Sequence, residues 1–268
     1  MRAFLACFLA LAACSSDSSN PNPPPGGGGD DTGSDMGSNM PPTTDPTVRQ
    51  DYDDVASIIA SNLNVSELAA MRASIDISYG RVPAGMVEDT AGGIASGTGS
   101  VSGSLAGLAY SLAFECHDVN HLAVPCNGAE DHVRLVVKYT GAASAANMSM
   151  DGVNEKGVYY TRYINVPKPM FGGTGTTSFT STLMTGVYTV SFTEASIHLQ
   201  FDPNTPVLPS GGTDDFTLTI HRTRDGVADR DFNVSAHLEV TGNDAATLTL
   251  DGSEIYNVTL STGVAVHQ

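Results

Sequence analysis

From about residue 93 onward the chain repeats with a period of two, and this pattern restricts its fold more than anything else in it. Leu108, Tyr110, Leu112, Phe114 and Cys116 alternate with small or polar residues. So do Val133, Leu135, Val137 and Tyr139; Phe216, Leu218 and Ile220; and Phe232, Val234, Ala236, Leu238 and Val240. Ala246, Leu248 and Leu250, then Tyr256, Val258 and Leu260, continue the rhythm. Successive side chains of a strand point to opposite faces, so each run predicts a strand with one face buried. Turn dipeptides separate the runs: Asn127-Gly128, Asp151-Gly152, Gly172-Gly173, Gly211-Gly212, Asp225-Gly226 and Asp251-Gly252. Strands this closely spaced, with few helical windows between them, predict a mainly β fold. The expected form is an antiparallel β-sandwich or half-barrel of about 10–12 strands.

Ahead of the strands the period is helical. In DYDDVASIIASNL, Tyr52, Val55, Ile59 and Leu63 share a face, with Asp51 placed to cap the N-terminus. In NVSELAAMRASI, Asn64 and Glu67 have capping-box spacing, and Leu68, Met71 and Ile75 share a face. One or two short amphipathic helices are therefore expected within 51–78, packed on a single β-rich domain spanning 51–268. Residues 15–50 are Ser, Asp, Asn, Gly and Pro with almost no large apolar side chain. Such a segment cannot bury enough surface to offset chain entropy, and it reads as a disordered tether.

The first 13 residues read as a signal peptide. Arg2 supplies a positive start, and AFLACFLALAA then runs eleven residues without a charge. That is the length of a signal-peptide core and too short to cross a bilayer, which needs about 20 apolar residues. Leu11-Ala12-Ala13-Cys14, followed at once by a Ser-rich stretch, resembles the lipobox of bacterial lipoproteins. The resemblance implies cleavage before Cys14 and attachment of lipid, such as palmitate, to that residue. The membrane then becomes a partner through the N-terminal lipid. In overall plan the chain resembles the lipoproteins of Gram-negative envelopes. Ser15 rather than Asp after the Cys implies sorting to the outer membrane.

The net charge of −17, or −18 once Arg2 is removed, repels phosphate backbones, so nucleic acid is not an expected partner. Of four cysteines, Cys7 falls in the signal peptide and Cys14 takes lipid, which leaves Cys116 and Cys126. An exported protein meets an oxidising compartment, and two remaining thiols ten positions apart predict a disulfide. Zinc is the competing reading, because His117 and His121 lie between the two Cys, although no ribbon or finger spacing is present. Asp225, Asp229 and Asp231 in DGVADRD are a second weak metal candidate, for a surface Ca²⁺, set against a charged hairpin. No resident cofactor is expected.

No nucleophile elbow, zinc-protease helix or phosphate-binding Gly loop appears. The Gly-rich runs are not followed by helical windows and are expected to let strands bend or approach closely. His198, His221 and His237 fall in the polar phase of strands and should face solvent. Alternation alone permits a membrane-spanning barrel, but the chain has no Trp and its strands lack paired aromatic girdles. The expected function is a non-catalytic binding or structural module of the cell envelope, facing an envelope protein or an apolar ligand. Two alternatives stand beside it. One is a half-barrel carrier with an apolar cavity lined by residues such as Leu112, Val137 and Leu238. The other is an extracytoplasmic hydrolase with a cleft of converging Asp, Glu or His.

Overall fold

In a computed structural model, the described residues are 45–145, 148–162, 164, 166, 168–202, 208–242 and 244–268. Residues 1–44 lie outside them, so the expected signal peptide, Cys14 and most of the expected tether do too. A helix α1 spans Pro46–Asn62, a π-helical turn covers Leu63–Glu67, and a helix α2 spans Leu68–Ser78. The expected break between two helical stretches is therefore the π turn. The helical segment begins five residues before the expected start. Asp45, rather than Asp51, is the N-cap, its side chain accepting from the Thr47 amide at 2.8 Å, and Pro46 sits where a missing N–H costs nothing. Asn64 and Glu67 form no capping box, and Glu67 precedes α2 without a side-chain capping bond. Both lie in the π turn, where Asn64 donates to the Leu260 carbonyl at 2.6 Å.

Twelve strands follow among the described residues. They are β1 Met86–Glu88, β2 Thr98–Leu105, β3 Leu108–His117, β4 His132–Ala145, β5 Met148–Arg162 and β6 Met170–Leu183. Then come β7 Gly186–Phe201, β8 Pro209–Arg224, β9 Val227–Gly242, β10 Ala245–Leu250, β11 Glu254–Thr259 and β12 Val264–His267. A single turn of helix, α3 (Gly93–Ser96), separates β1 from β2. All twelve strands form one antiparallel sheet in strict chain order, and β1 and β12 are its two edges. The mainly β class and the strand number match the sequence pattern. Of the two expected forms, the sandwich is absent, because there is a single sheet, and that sheet is not closed. β9 shows why alternation was informative. Phe232, Val234, Ala236, Leu238 and Val240 are buried, while Asp231, Asn233, Ser235, His237 and Glu239 between them are exposed.

The helices do not lie on the outside of this sheet. Tyr52, Val55, Ala56, Ile58, Ile59, Leu63, Leu68, Ala70, Met71, Ile75 and Ile77 are all buried, so both helices are covered on nearly every side. Their partners come from across the sheet. Tyr110 of β3 donates to the Val65 carbonyl at 2.9 Å, and Ser74 bonds Thr161 of β5. Tyr52 donates to Asp251 in the β10–β11 turn at 3.0 Å, and Tyr256 of β11 donates to Asp53 at 3.0 Å. The sheet wraps the helices, which supply the core that a second sheet supplies in a sandwich. Leu112, Val137 and Leu238 pack in this core with the helical residues.

The acidic N-terminal half of α1 is neutralised by arginines of the sheet. Asp51 is fully buried and pairs with Arg222 at 3.2 Å, Arg224 at 2.9 Å and Arg230 at 3.3 Å. Arg224 also reaches Asp54 at 3.0 Å, and Asp54 accepts from Thr185 at 2.7 Å and from Tyr188. Burial pushes the Asp51 carboxyl above its ordinary value, and the three guanidinium groups pull against that. Among the described residues, no helix is long and apolar enough to cross a membrane.

Candidate functional site

Two polar features stand apart from the apolar core, one on the outer face of the sheet and one inside it.

The outer feature is built around the disulfide. Cys116, at the end of β3, is bonded to Cys126, with Cα atoms 5.6 Å apart. The pair ties the connection between β3 and β4 back to the end of β3. Asp118 organises that connection by accepting from the Asn120 and Leu122 amides, each at 2.9 Å. His121 sits in this turn with a positive φ of 60°. The connection returns the chain so that His132, first residue of β4, pairs directly with His117. The rings of His117 and His132 stack at 5.0 Å, and the His121 ring meets His132 edge-on at 5.3 Å.

His117 and His121 thus gain His132 as a neighbour, a residue that no local spacing in the sequence connects to them. They are not arranged as zinc ligands. Both cysteines are used in the disulfide. His117 Nδ1 faces the His121 carbonyl at 3.3 Å, its Nε2 faces Glu115 at 3.5 Å, and His132 Nδ1 faces Asp131 at 3.1 Å. With Asp131, Arg134, Tyr160 and Arg162 the three histidines line a pocket of about 440 Å³. Tyr160 and Arg162 also line an adjoining pocket of about 540 Å³, which runs over the glycines of β6 toward His198. Arg162 lies over the Tyr160 ring at 5.0 Å. In a chain with only 12 Lys and Arg, two arginines and three histidines meet here against Asp131 and Glu115, the latter 3.5 Å from Arg134 as well as from His117.

The other weak metal candidates do not converge. Asp225 lies in the β8–β9 turn, Asp229 is exposed beside it, and Asp231 is spent on His221 at 2.8 Å. His237 likewise pairs with Asp215 at 2.6 Å, and His198, His221 and His237 are exposed, as their phase in the strands implies.

The inner feature was not visible as a motif. Glu155 of β5, Glu194 of β7, Asp214 of β8 and Glu67 of the π turn are all buried. One carboxylate oxygen from each of Glu67, Glu194 and Asp214 lies within 4.8 Å of the others. Tyr159 donates to Glu194 at 2.8 Å and lies 3.1 Å from Glu155, which also accepts from Thr177 at 2.5 Å. The glycines of β5 and β6 make room for this ring, because a Cβ at Gly157, Gly173 or Gly175 would meet Tyr159. The expected role of the Gly-rich stretch, close approach, is the one it has.

Burial, and then the Glu194 charge, hold the Glu67, Glu155 and Asp214 carboxyls well above their ordinary values; burial also raises Glu194. Glu67 faces Glu194 and Asp214 within hydrogen-bonding reach, and the Asp215 amide faces Asp214; no other group partners Glu67 Oε2, Glu194 Oε1 or the two oxygens of Asp214. The three acids on strands occupy the inward phase: Val153, Glu155, Tyr159 in β5; Val190, Phe192, Glu194 in β7; Asp214, Phe216, Leu218 in β8. Extending the alternation by one step past its apolar members was the signal that would have found them.

No family model matches the chain, and neither does any curated protein or solved structure.

Proposed function

We propose that the protein is a lipid-anchored module of the cell envelope, held at the outer membrane through Cys14, that acts by binding rather than by catalysis. The anchor rests on the signal segment and on Leu11-Ala12-Ala13-Cys14. The observation that carries the non-catalytic half is where the perturbed acids sit. Glu67, Glu155, Glu194 and Asp214 are enclosed between helix and sheet, and none of them lines the pockets described above. A hydrolase needs its acid and base in reach of substrate. The carrier alternative is supported less for a related reason: the helices occupy the concave face where an apolar ligand would lie. A surface suited to a partner is the outer groove. Arg162 and the three histidines there fit an acidic group, Arg134 standing beside them in its pair with Glu115, and Tyr160 and Val158 offer an apolar extension.

The anchor is tested by fractionation. The wild-type chain should incorporate labelled palmitate and sediment with outer-membrane vesicles on a density gradient. Cys14→Ser should do neither. A Cys14→Ser chain that still sediments with membranes would overturn the proposal, as would a wild-type chain that takes no label.

A further inference from the structure

We infer that the interior of the fold holds a site for one hard divalent cation of the Ca²⁺ class, ligated by Glu67, Glu194 and Asp214. The three carboxylates come from three elements, the π turn, β7 and β8, and each offers an oxygen within 4.8 Å of the others. Oxygens at about 2.3–2.6 Å from a common Ca²⁺ have a spread of that order. The donors are all hard oxygens, which selects against zinc and copper. A cage made wholly of protein side chains also suits Ca²⁺ better than Mg²⁺, which holds on to several of its waters.

A separate group in the interior points to the same ligand. Asn62, the last residue of α1, is 1 % exposed, and its amide oxygen has no partner. Its amide nitrogen lies 3.3 Å from Glu67 Oε1. A buried acceptor left without a partner is costly, so a ligand that supplies one is favoured. Exchanging the two ends of the Asn62 amide brings its oxygen toward the Glu67 carboxylate, where a cation gives it a partner. The π turn has a role in this arrangement. Its wider i→i+5 spacing brings Asn62 and Glu67 to one side of the helix, and such turns are frequent at ligand sites. Glu155, linked to Glu194 through Tyr159, stands behind the ligands. A cation here joins the helical break to β7 and β8 and enters as the chain folds.

The purified full chain is dialysed against chelator, then against CaCl₂, MgCl₂ or MnCl₂, and analysed for bound metal and for Tm. Close to one Ca²⁺ per chain is expected, with a Tm rise of roughly 5–10 °C at about 100 times Kd. Glu67→Gln and Asp214→Asn should lose the bound metal and most of that rise. A further readout needs no variant to fold: the infrared band of protonated carboxyl groups in the metal-free wild type should weaken on adding Ca²⁺. A wild type without bound metal, with the same Tm in Ca²⁺ and chelator and an unchanged carboxyl band, overturns the inference. So does a Ca²⁺ response that folded Glu67→Gln and Asp214→Asn retain, since it would come from surface acids. Preferential binding of Mg²⁺ or Mn²⁺ overturns the Ca²⁺ assignment.

Discussion

The Tyr159 hydroxyl lies 2.8 Å from Glu194 Oε2 and 3.1 Å from Glu155 Oε1, so one phenol bridges two buried carboxyls from different strands. Removing that oxygen takes the donor from Glu194 and a polar neighbour from Glu155, which keeps Thr177. Tyr159→Phe, which keeps the ring over its glycines, should therefore lower stability by about 1–3 kcal/mol. Urea denaturation followed by circular dichroism measures this. A loss below a few tenths of a kcal/mol would mean that the bridge carries no stability.

The ring depends on the absence of side chains beneath it. A Cβ at Gly173 would lie 2.7 Å from the Tyr159 Cα, and one at Gly175 would lie 2.7 Å from Glu194 Oε2. Gly173→Ala should cost about 1–3 kcal/mol by overpacking. Gly211→Ala is the contrast, since its new Cβ would meet only Gln200 Oε1 at 3.7 Å. That substitution should be neutral or stabilising by about 0.4–1 kcal/mol, because it restricts the unfolded chain. Paired melting curves test both, and equal effects at the two sites would refute the packing account.

Asp51 faces three arginines from β8 and β9 with no exposure of its own. Taking away one partner of a buried ion pair leaves uncompensated charge, typically at a cost of about 3–5 kcal/mol. Asp51→Ala should fall in that range. Arg222→Met should cost less than Asp51→Ala, because Asp51 keeps Arg224 and Arg230. Denaturation midpoints of the single and double variants give the coupling between the two, and purely additive losses would show that they do not act together.

Around the disulfide the prediction concerns pH. Asp118 is held below its ordinary carboxylate value of 3.8, first by the Leu122 amide and then by Asn120. A depressed folded value means that the contribution of Asp118 is fully present above its ordinary value and is lost as pH falls through the depressed one. The turn carrying His121 should thus stay ordered from neutral pH down to about pH 4 and loosen below it. Amide exchange at Asn120 and Leu122 reports this. Asp118→Asn should loosen the turn already at neutral pH; protection unchanged in that variant would remove Asp118 from the account. Replacing Cys116 and Cys126 with Ser should lower global stability by about 2–3 kcal/mol, the range for a short closed loop.

The strands were legible because alternation is a local property: each buried residue announces its own phase. The helices were legible as helices, but their setting was not. Pro46 and Asp45 sit at the end of a Pro, Thr and Asp stretch that reads as tether, so the true N-cap was passed over. The apolar face read from Tyr52 to Leu63 understated the burial, because Ala56, Ala60 and Ser61 are small and give no strong signal on the opposite side. A π turn leaves no periodic trace over five residues. The buried acids looked like interruptions of the strand pattern, since a carboxylate in the inward phase makes sense only when its neighbours on other strands are known. His132 joined His117 and His121 only through the register of β3 and β4.

The helix that fills the sheet is also the point where the N-terminal segment enters the fold, since α1 begins at Pro46. Under the proposed anchoring, any pull between membrane and domain arrives at this helix before it reaches a strand. Resistance there is borne in parallel. Drawing α1 out loads the Asp51 ion pairs, the Tyr52–Asp251 bond and the Tyr256–Asp53 bond together, rather than one after another. Bonds sheared in parallel share force, whereas bonds peeled in series fail singly. The buried ionic cluster thus acts as a mechanical clamp at the end of the domain that takes the load.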